Sequence, residues 1–283
     1  MPVMTRIRYL AEAALLCVVY AIFWLLPLDV ASWIGSLIGR YGARFHKTSK
    51  IADNNLKRFM PELSAEQRQE LILAMWDNWG RTASEYPHIG RSKMRKRLII
   101  QDDEGCFDEI KSSDKGAIIV GAHVGNLELA PVSCAASGVP PVLIYRRGNN
   151  PYTDHFITRT RLKFAKAMFA KGKEGAAQLV RALRKGETAG ILVDQKMNNG
   201  IAVPFFGEDA MTAPAVATLA LRYDLPIYAA TVVREGGARF TFKIERLTYE
   251  KTDDNKQDVL TIMTDIKPEQ WFWMHNRWPK QKG

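Results

Sequence analysis

The sequence predicts an α/β fold, a mainly parallel central sheet flanked by helices with an N-terminal membrane-anchor helix ahead of it. Between residues 98 and 246 short apolar runs alternate with amphipathic segments, the pattern of strand-helix-strand units covering both faces of a sheet. From Tyr9 to Leu26 the chain is almost wholly apolar, broken only by Glu12 and ended by Pro27. The 283 residues, 47% of them hydrophobic, suffice for one large domain and an appendage. The expected division is an anchor with an interfacial helix over 1–46 and a second domain over 47–283.

The apolar run just reaches the length that about 30 Å of hydrocarbon demands. It has no small-residue cleavage site, so it reads as an uncleaved anchor rather than a signal peptide, with a buried core helix as the alternative. Arg6 and Arg8 precede it, and Arg40, Arg44, Lys47, Lys50, Lys57 and Arg58 follow, which puts the body of the protein on the cytoplasmic side. Residues 28 to 45 keep apolar groups at helical spacing and end in cations, as an interfacial helix anchored by Trp33 does. A short helix over 48–60 stops at Pro61. Ser64-Ala65-Glu66-Gln67 is a capping box opening a long helix to about Tyr86, with Leu71, Met75, Trp76 and Trp79 on one core-facing stripe.

Strands are expected over 98–101, 117–122, 141–146, 167–170, 189–194, 226–233 and 238–246. Helices are expected over 103–111, 126–137, 151–165, 174–185 and 213–223. Glu235-Gly236-Gly237 makes a hairpin, so the last two strands are antiparallel. In sheets of this kind ligands bind beyond the C-terminal ends of the strands.

A net charge of +10 and a pI near 9.5 imply an acidic partner, whether nucleic acid, an anionic membrane surface or an acidic protein. From Arg40 to Arg97 there are 13 cations against 6 acids, so much of the excess lies next to the anchor. The basic run from Arg91 to Arg97 has no interleaved aromatics to stack bases, which argues for a solvated or lipid-facing cluster and against nucleic acid. Cys17, Cys106 and Cys134 have neither metal-ligand nor disulfide-framework spacing, which indicates a reducing compartment. The five histidines are equally scattered; no structural metal and no cofactor are expected.

The chemistry points to Gly116–Glu128. Ala117 to Val120 reads as a buried strand, Gly121 and Gly125 bracket a turn, and Asn126 caps the helix that follows. His123 is thereby exposed at a strand end with Glu128 in the first helical turn. A carboxylate beside an imidazole fixes its tautomer and stabilises the imidazolium once it has taken a proton. The bland alternative is a polar histidine in a turn.

His123-Val124-Gly125-Asn126-Leu127-Glu128 resembles the His-(four residues)-Glu dyad of the glycerolipid and lipid A acyltransferases, and is close to the lipid A form, His-Phe-Gly-Asn-Trp-Glu. Downstream blocks are similar to that family in order. Tyr145-Arg146, Asn150-Pro151 and Arg161 look like its second block, with Arg147 where the family tends to have proline. Asp194-Gln195 at the end of a buried strand looks like its third, and Arg161 is the expected partner of the Asp194 carboxylate. Val203-Pro204-Phe205-Phe206-Gly207 is similar too, with Phe205 and Phe206 as acyl-pocket candidates against the alternative of a packed loop. Leu225-Pro226-Ile227 and the tryptophan-rich stretch from Pro268 to Trp278 resemble its last blocks, the latter in a structural or interfacial role.

The resemblance implies an inner-membrane enzyme that transfers a fatty acyl group from acyl carrier protein to a hydroxyl of an anionic lipid A precursor. Its catalytic residues would be His123, as general base, and Glu128. Arg146, Arg161, Asp194, Gln195, Asn126 and Gly125 would bind substrate, with backbone N–H groups near Gly125 and Asn126 as oxyanion donors. No Gly-x-Ser-x-Gly elbow is present, so no acyl-enzyme is needed. The rivals are the same dyad acting on another glycolipid or a phospholipid, and a non-catalytic membrane protein that holds acyl chains or acyl carrier protein.

Overall fold

The computed structural model describes residues 2–42, 45–206, 208–248 and 273–274. Helices α1 (Val3–Leu25), α2 (Leu28–Leu37), α3 (Thr48–Phe59), α4 (Ala65–Glu85) and the short α5 (Ser92–Arg95) come first. There follow β1 (Leu98–Gln101), α6 (Cys106–Ser112), β2 (Ala117–Gly121), α7 (Leu129–Ala136), β3 (Val142–Tyr145), α8 (Pro151–Arg161), β4 (Ala167–Ala170), α9 (Lys173–Leu183) and β5 (Thr188–Leu192). The hairpin β6 (Ile201–Phe205) and β7 (Glu208–Thr212), α10 (Ala215–Tyr223), β8 (Ile227–Gly236) and β9 (Arg239–Leu247) complete the described chain.

Seven strands form one sheet in the order β1-β9-β8-β2-β5-β3-β4. Strands β8, β2, β5, β3 and β4 are parallel, while β9 runs antiparallel to β8 and parallel to the edge strand β1. The alternation in β2 shows why both faces are covered. Ile119 packs with Leu129, Val132, Tyr228 and Phe242 on one side, and Ile118 and Val120 pack with Leu179, Leu183, Val216 and Ile227 on the other. The expected α/β architecture is therefore present, with the sheet mainly parallel.

Helix α1 is long and apolar enough to cross a membrane, and none of its residues is buried. At 1.5 Å per residue its 23 residues reach about 34 Å. Nothing between Val3 and Tyr9 breaks a helix, so it takes in Arg6 and Arg8 as well. Glu12, which interrupts the apolar run, is accounted for: it accepts from Asn150 at 2.9 Å, and Asn150 also donates to the Tyr9 carbonyl at 2.9 Å. At its other end Tyr20 meets Phe156 edge-on, and His88 and Arg91 bind the Phe23 and Trp24 carbonyls.

Pro27 starts α2, which crosses α4 at backbone contact. A methyl on Gly35 would overlap the Gly80 carbonyl, and one on Gly39 the Trp76 carbonyl. The expected capping box of α4 forms, Ser64 and Gln67 satisfying each other's backbone amides. Two local expectations are corrected. The helix expected over 126–137 begins at Leu129, and the Asn126 side chain does not cap it but donates to Glu85 at 2.9 Å. The second is that no strand was expected over 201–212, which forms the β6–β7 hairpin; a proline and two acids inside it mute any strand signal.

Candidate functional site

The β2–β5 register builds the site. Gly121 pairs with Leu192, so the chain two residues further on brings His123 opposite Asp194 at the C-terminal edge of the sheet. Asp194 grips His123 twice: one carboxylate oxygen accepts from the His123 backbone N–H at 2.8 Å, and the other lies 2.8 Å from Nδ1. A carboxylate at Nδ1 selects the tautomer with the proton there. Nε2 is then the basic nitrogen, and the Gln195 amide donates to it across 3.1 Å. Asp194 is 2% exposed and His123 14%, so the carboxylate is enclosed while the ring edge reaches the surface.

Glu128 and Arg161 form a second pair. Arg161, in the last turn of α8, holds both Glu128 oxygens in a two-point bond, with Nε at 2.8 Å. This corrects the expected partner of Asp194: Arg161 goes to Glu128, and Asp194 to His123. Arg161 reaches across the end of α7 because Pro151 and Asn150 set the start of α8, the Asn150 side chain accepting from the Tyr152 and Thr153 amides. Burial works to lower the pKa of Arg161, but the bond to Glu128 more than offsets it and the guanidinium is held above its ordinary value. Tyr86 lies beside this pair, its phenol raised by burial and by the Glu128 charge.

Gly125 takes φ +55°, a left-handed conformation that side chains disfavour. Its carbonyl accepts from Asn78 at 2.9 Å. Asn78 and Glu85, on α4, also bind Arg234 at the C-terminal end of β8, the strand next to β2. Asn78, Glu85 and Arg234 were not anticipated from the sequence. The available signal was a charge at an apolar strand's end and another in the last turn of a packed helix.

The remaining expected residues are distributed around this edge. Arg146 is exposed just beyond β3. An open cleft of about 600 Å³ adjoins it, lined by Tyr145, Arg147, Met168, Lys171 and Lys173. Phe205 is buried with Leu56, Met75, Val124 and Trp273, and Phe206 packs partly exposed against Phe205 and Trp273. The Trp273 carbonyl accepts from Asn55 at 2.7 Å. Gly207 and the rest of the tryptophan-rich stretch, apart from Met274, lie outside the described residues. Cys134 is buried, which pushes its thiol up to about 12 and leaves it protonated at neutral pH.

What the arrangement can do is acid–base chemistry on a hydroxyl at an edge furnished with cations. The profile of bacterial lipid A biosynthesis acyltransferases matches residues 2–280. The chain is 29% identical over 280 residues to a lipid A biosynthesis palmitoleoyltransferase of Escherichia coli (strain K12), covering 90% of this chain and 88% of that one. It is 25% identical over 276 residues to a lipid A biosynthesis lauroyltransferase of the same organism, again covering 90% and 88%. A lipid A biosynthesis acyltransferase of Haemophilus influenzae is 24% identical over 205 residues, covering 65% and 64%.

Proposed function

This chain belongs to the bacterial lipid A biosynthesis acyltransferases, and we propose that it moves a fatty acyl group from acyl carrier protein to a hydroxyl of a lipid A precursor, with His123 as the base. The observation that carries the mechanism is the two-point grip of Asp194 on His123. It fixes the ring so that Nε2 faces the sheet edge as a base. The acceptor hydroxyl takes the place of the Gln195 amide at Nε2 and gives up its proton as its oxygen attacks the thioester carbonyl. Asp194 stabilises the imidazolium that forms. The tetrahedral intermediate collapses, the carbon–sulfur bond breaks, and the leaving thiolate recovers the proton from Nε2. Backbone N–H groups around Gly125 and Asn126 supply the oxyanion donors.

Glu128 acts through Arg161 in this scheme. The pair braces the entrance of α7 against the end of α8, and the guanidinium presents a fixed positive charge beside the reacting groups. Arg146 and the cations of the neighbouring cleft suit an anionic acceptor, and Phe206 suits its apolar or acyl portion. The exposed apolar α1 seats the enzyme in the inner membrane with the sheet edge on the cytoplasmic side.

The test is mass spectrometry of the products formed by purified enzyme from mixed acyl-carrier donors and candidate acceptors. Wild type is expected to give an O-acylated lipid A precursor, and His123→Ala to lower kcat about 10²- to 10⁴-fold. A His123→Ala enzyme that acylates as fast as wild type would sink the mechanism.

A further inference from the structure

Behind the His123 turn lies a buried charged network that the transfer chemistry does not itself consume. Glu85 is fully buried and Arg234 is 7% exposed. Glu85 accepts from Ser32 at 2.7 Å, from Asn126 at 2.9 Å, and from Arg234 at 2.6 and 3.0 Å. Arg234 is itself fixed, lying 4.7 Å over the Phe240 ring and donating to the Gly237 carbonyl at 2.7 Å. An ion pair taken out of water contributes little net stability compared with apolar packing of the same volume, so its presence calls for another explanation. What it supplies is direction. Arg234 Nε donates to Asn78 Oδ1 at 2.8 Å, which forces the other end of that amide, Nδ2, towards the Gly125 carbonyl at 2.9 Å. Thr82 reaches the same carbonyl at 3.4 Å, and Glu85 takes the next side chain, Asn126.

We infer that Asn78, Glu85 and Arg234 are positioning residues: they hold the Gly125–Asn126 turn from behind, and so keep His123 in register with Asp194. The inference rests on the acyl-transfer function proposed above. The left-handed Gly125 turns its carbonyl towards α4, where the network receives it. Two elements meet there, α4 and the end of β8, and β8 is the immediate neighbour of β2. A turn released from that hold shifts His123 relative to a carboxylate that stays on β5.

The decisive variant is Asn78→Asp in the full-length enzyme. It keeps an acceptor for Arg234 Nε, and replaces the donor facing the Gly125 carbonyl with an oxygen. Asn78→Ala is made alongside it. The readouts are kcat, KM for each substrate, the thermal midpoint, and the imidazole nitrogen resonances of His123, assigned through His123→Ala. Expected are a kcat about a hundredfold lower, KM for donor and acceptor within about twofold, a thermal midpoint close to wild type, and shifted His123 resonances. A kcat near wild type, or a loss that follows a falling thermal midpoint while the His123 resonances stay put, overturns the inference. Should wild type transfer no acyl group, the proposed function fails, and the His123 resonances alone decide the positioning role.

Discussion

At the scale of single residues the carboxylate behind the imidazole decides which ring nitrogen is free to act as a base, since Asp194 lies 2.8 Å from Nδ1. Asp194→Asn keeps the size of the side chain, but its amide can donate to Nδ1 and favour the tautomer with the proton on Nε2, where it is useless to a base. We expect kcat to fall about 10²- to 10⁴-fold with KM little changed, measured as initial rates on saturating donor and acceptor. Arg161→Lys replaces a two-point fork with a single ammonium, and kcat/KM should drop about tenfold, the loss of one charge-assisted bond. An unaltered rate would remove the Glu128–Arg161 pair from the mechanism. His123 was legible in the sequence because a histidine between glycines after an apolar strand stands out. Its partner was not. Asp194 lies 71 residues away and meets His123 only through the pairing of β2 with β5, whereas Glu128, five positions on, was the carboxylate that sequence proximity offered. Asp194 was given to Arg161 because a carboxylate at the end of a buried strand calls for a cation, and only the fold shows that Glu128 takes that guanidinium instead.

At the scale of elements, the packing of α2 on α4 sets how the network behind the His123 turn is placed. Gly35 and Gly80 let the two backbones touch, and Ser32, one turn earlier, then reaches Glu85. Gly35→Ala drives a methyl into a carbonyl that has no side-chain freedom to yield. A loss of about 1–3 kcal/mol is expected, read as a lower thermal midpoint; an unchanged midpoint would mean that the helices part without cost. The docking of α1 carries a pH signature. Burial lowers the pKa of His88 below its ordinary value, against the opposing pull of the Phe23 carbonyl. A histidine held neutral in the fold contributes stability that is complete above its unfolded pKa of about 6.5 and is lost as pH falls through the lower folded value. The thermal midpoint of wild type should therefore decline more steeply between pH 7 and pH 5 than that of His88→Gln, which keeps a donor for the carbonyl and does not titrate. Long helices were legible from their caps and prolines, Ser64 and Pro27 among them. The β6–β7 hairpin was not, because Pro204, Glu208 and Asp209 contradict the pattern a strand shows when read by itself.

At the scale of the whole molecule, alternation revealed a mainly parallel sheet but not its order. Nothing local says that β2 lies between β8 and β5, yet that order brings His123, Asp194 and Arg234 to one edge. Charge is a different matter, since its sum can be read directly and its effect is long-ranged. The proposed function calls on two forces to bind this protein to its surroundings. Ten large apolar side chains of α1 stand exposed, each contributing about 1.5–3 kcal/mol when fully withdrawn from water, whatever the salt. The +10 charge acts on anionic partners and is screened, the Debye length shrinking from about 10 Å at 0.1 M salt to about 3 Å at 1 M. Raising salt over that range should leave the enzyme on vesicles in a flotation assay, because the apolar contacts proposed for α1 are not screened. It should also lower kcat/KM for the proposed carrier-bound donor severalfold while kcat at saturation changes little, because encounter would be steered by charge and the proposed proton transfer at His123 would not. Detachment from the vesicles at 1 M salt would show that the cations, not α1, anchor the chain. A constant kcat/KM would show that the charge faces something other than the donor.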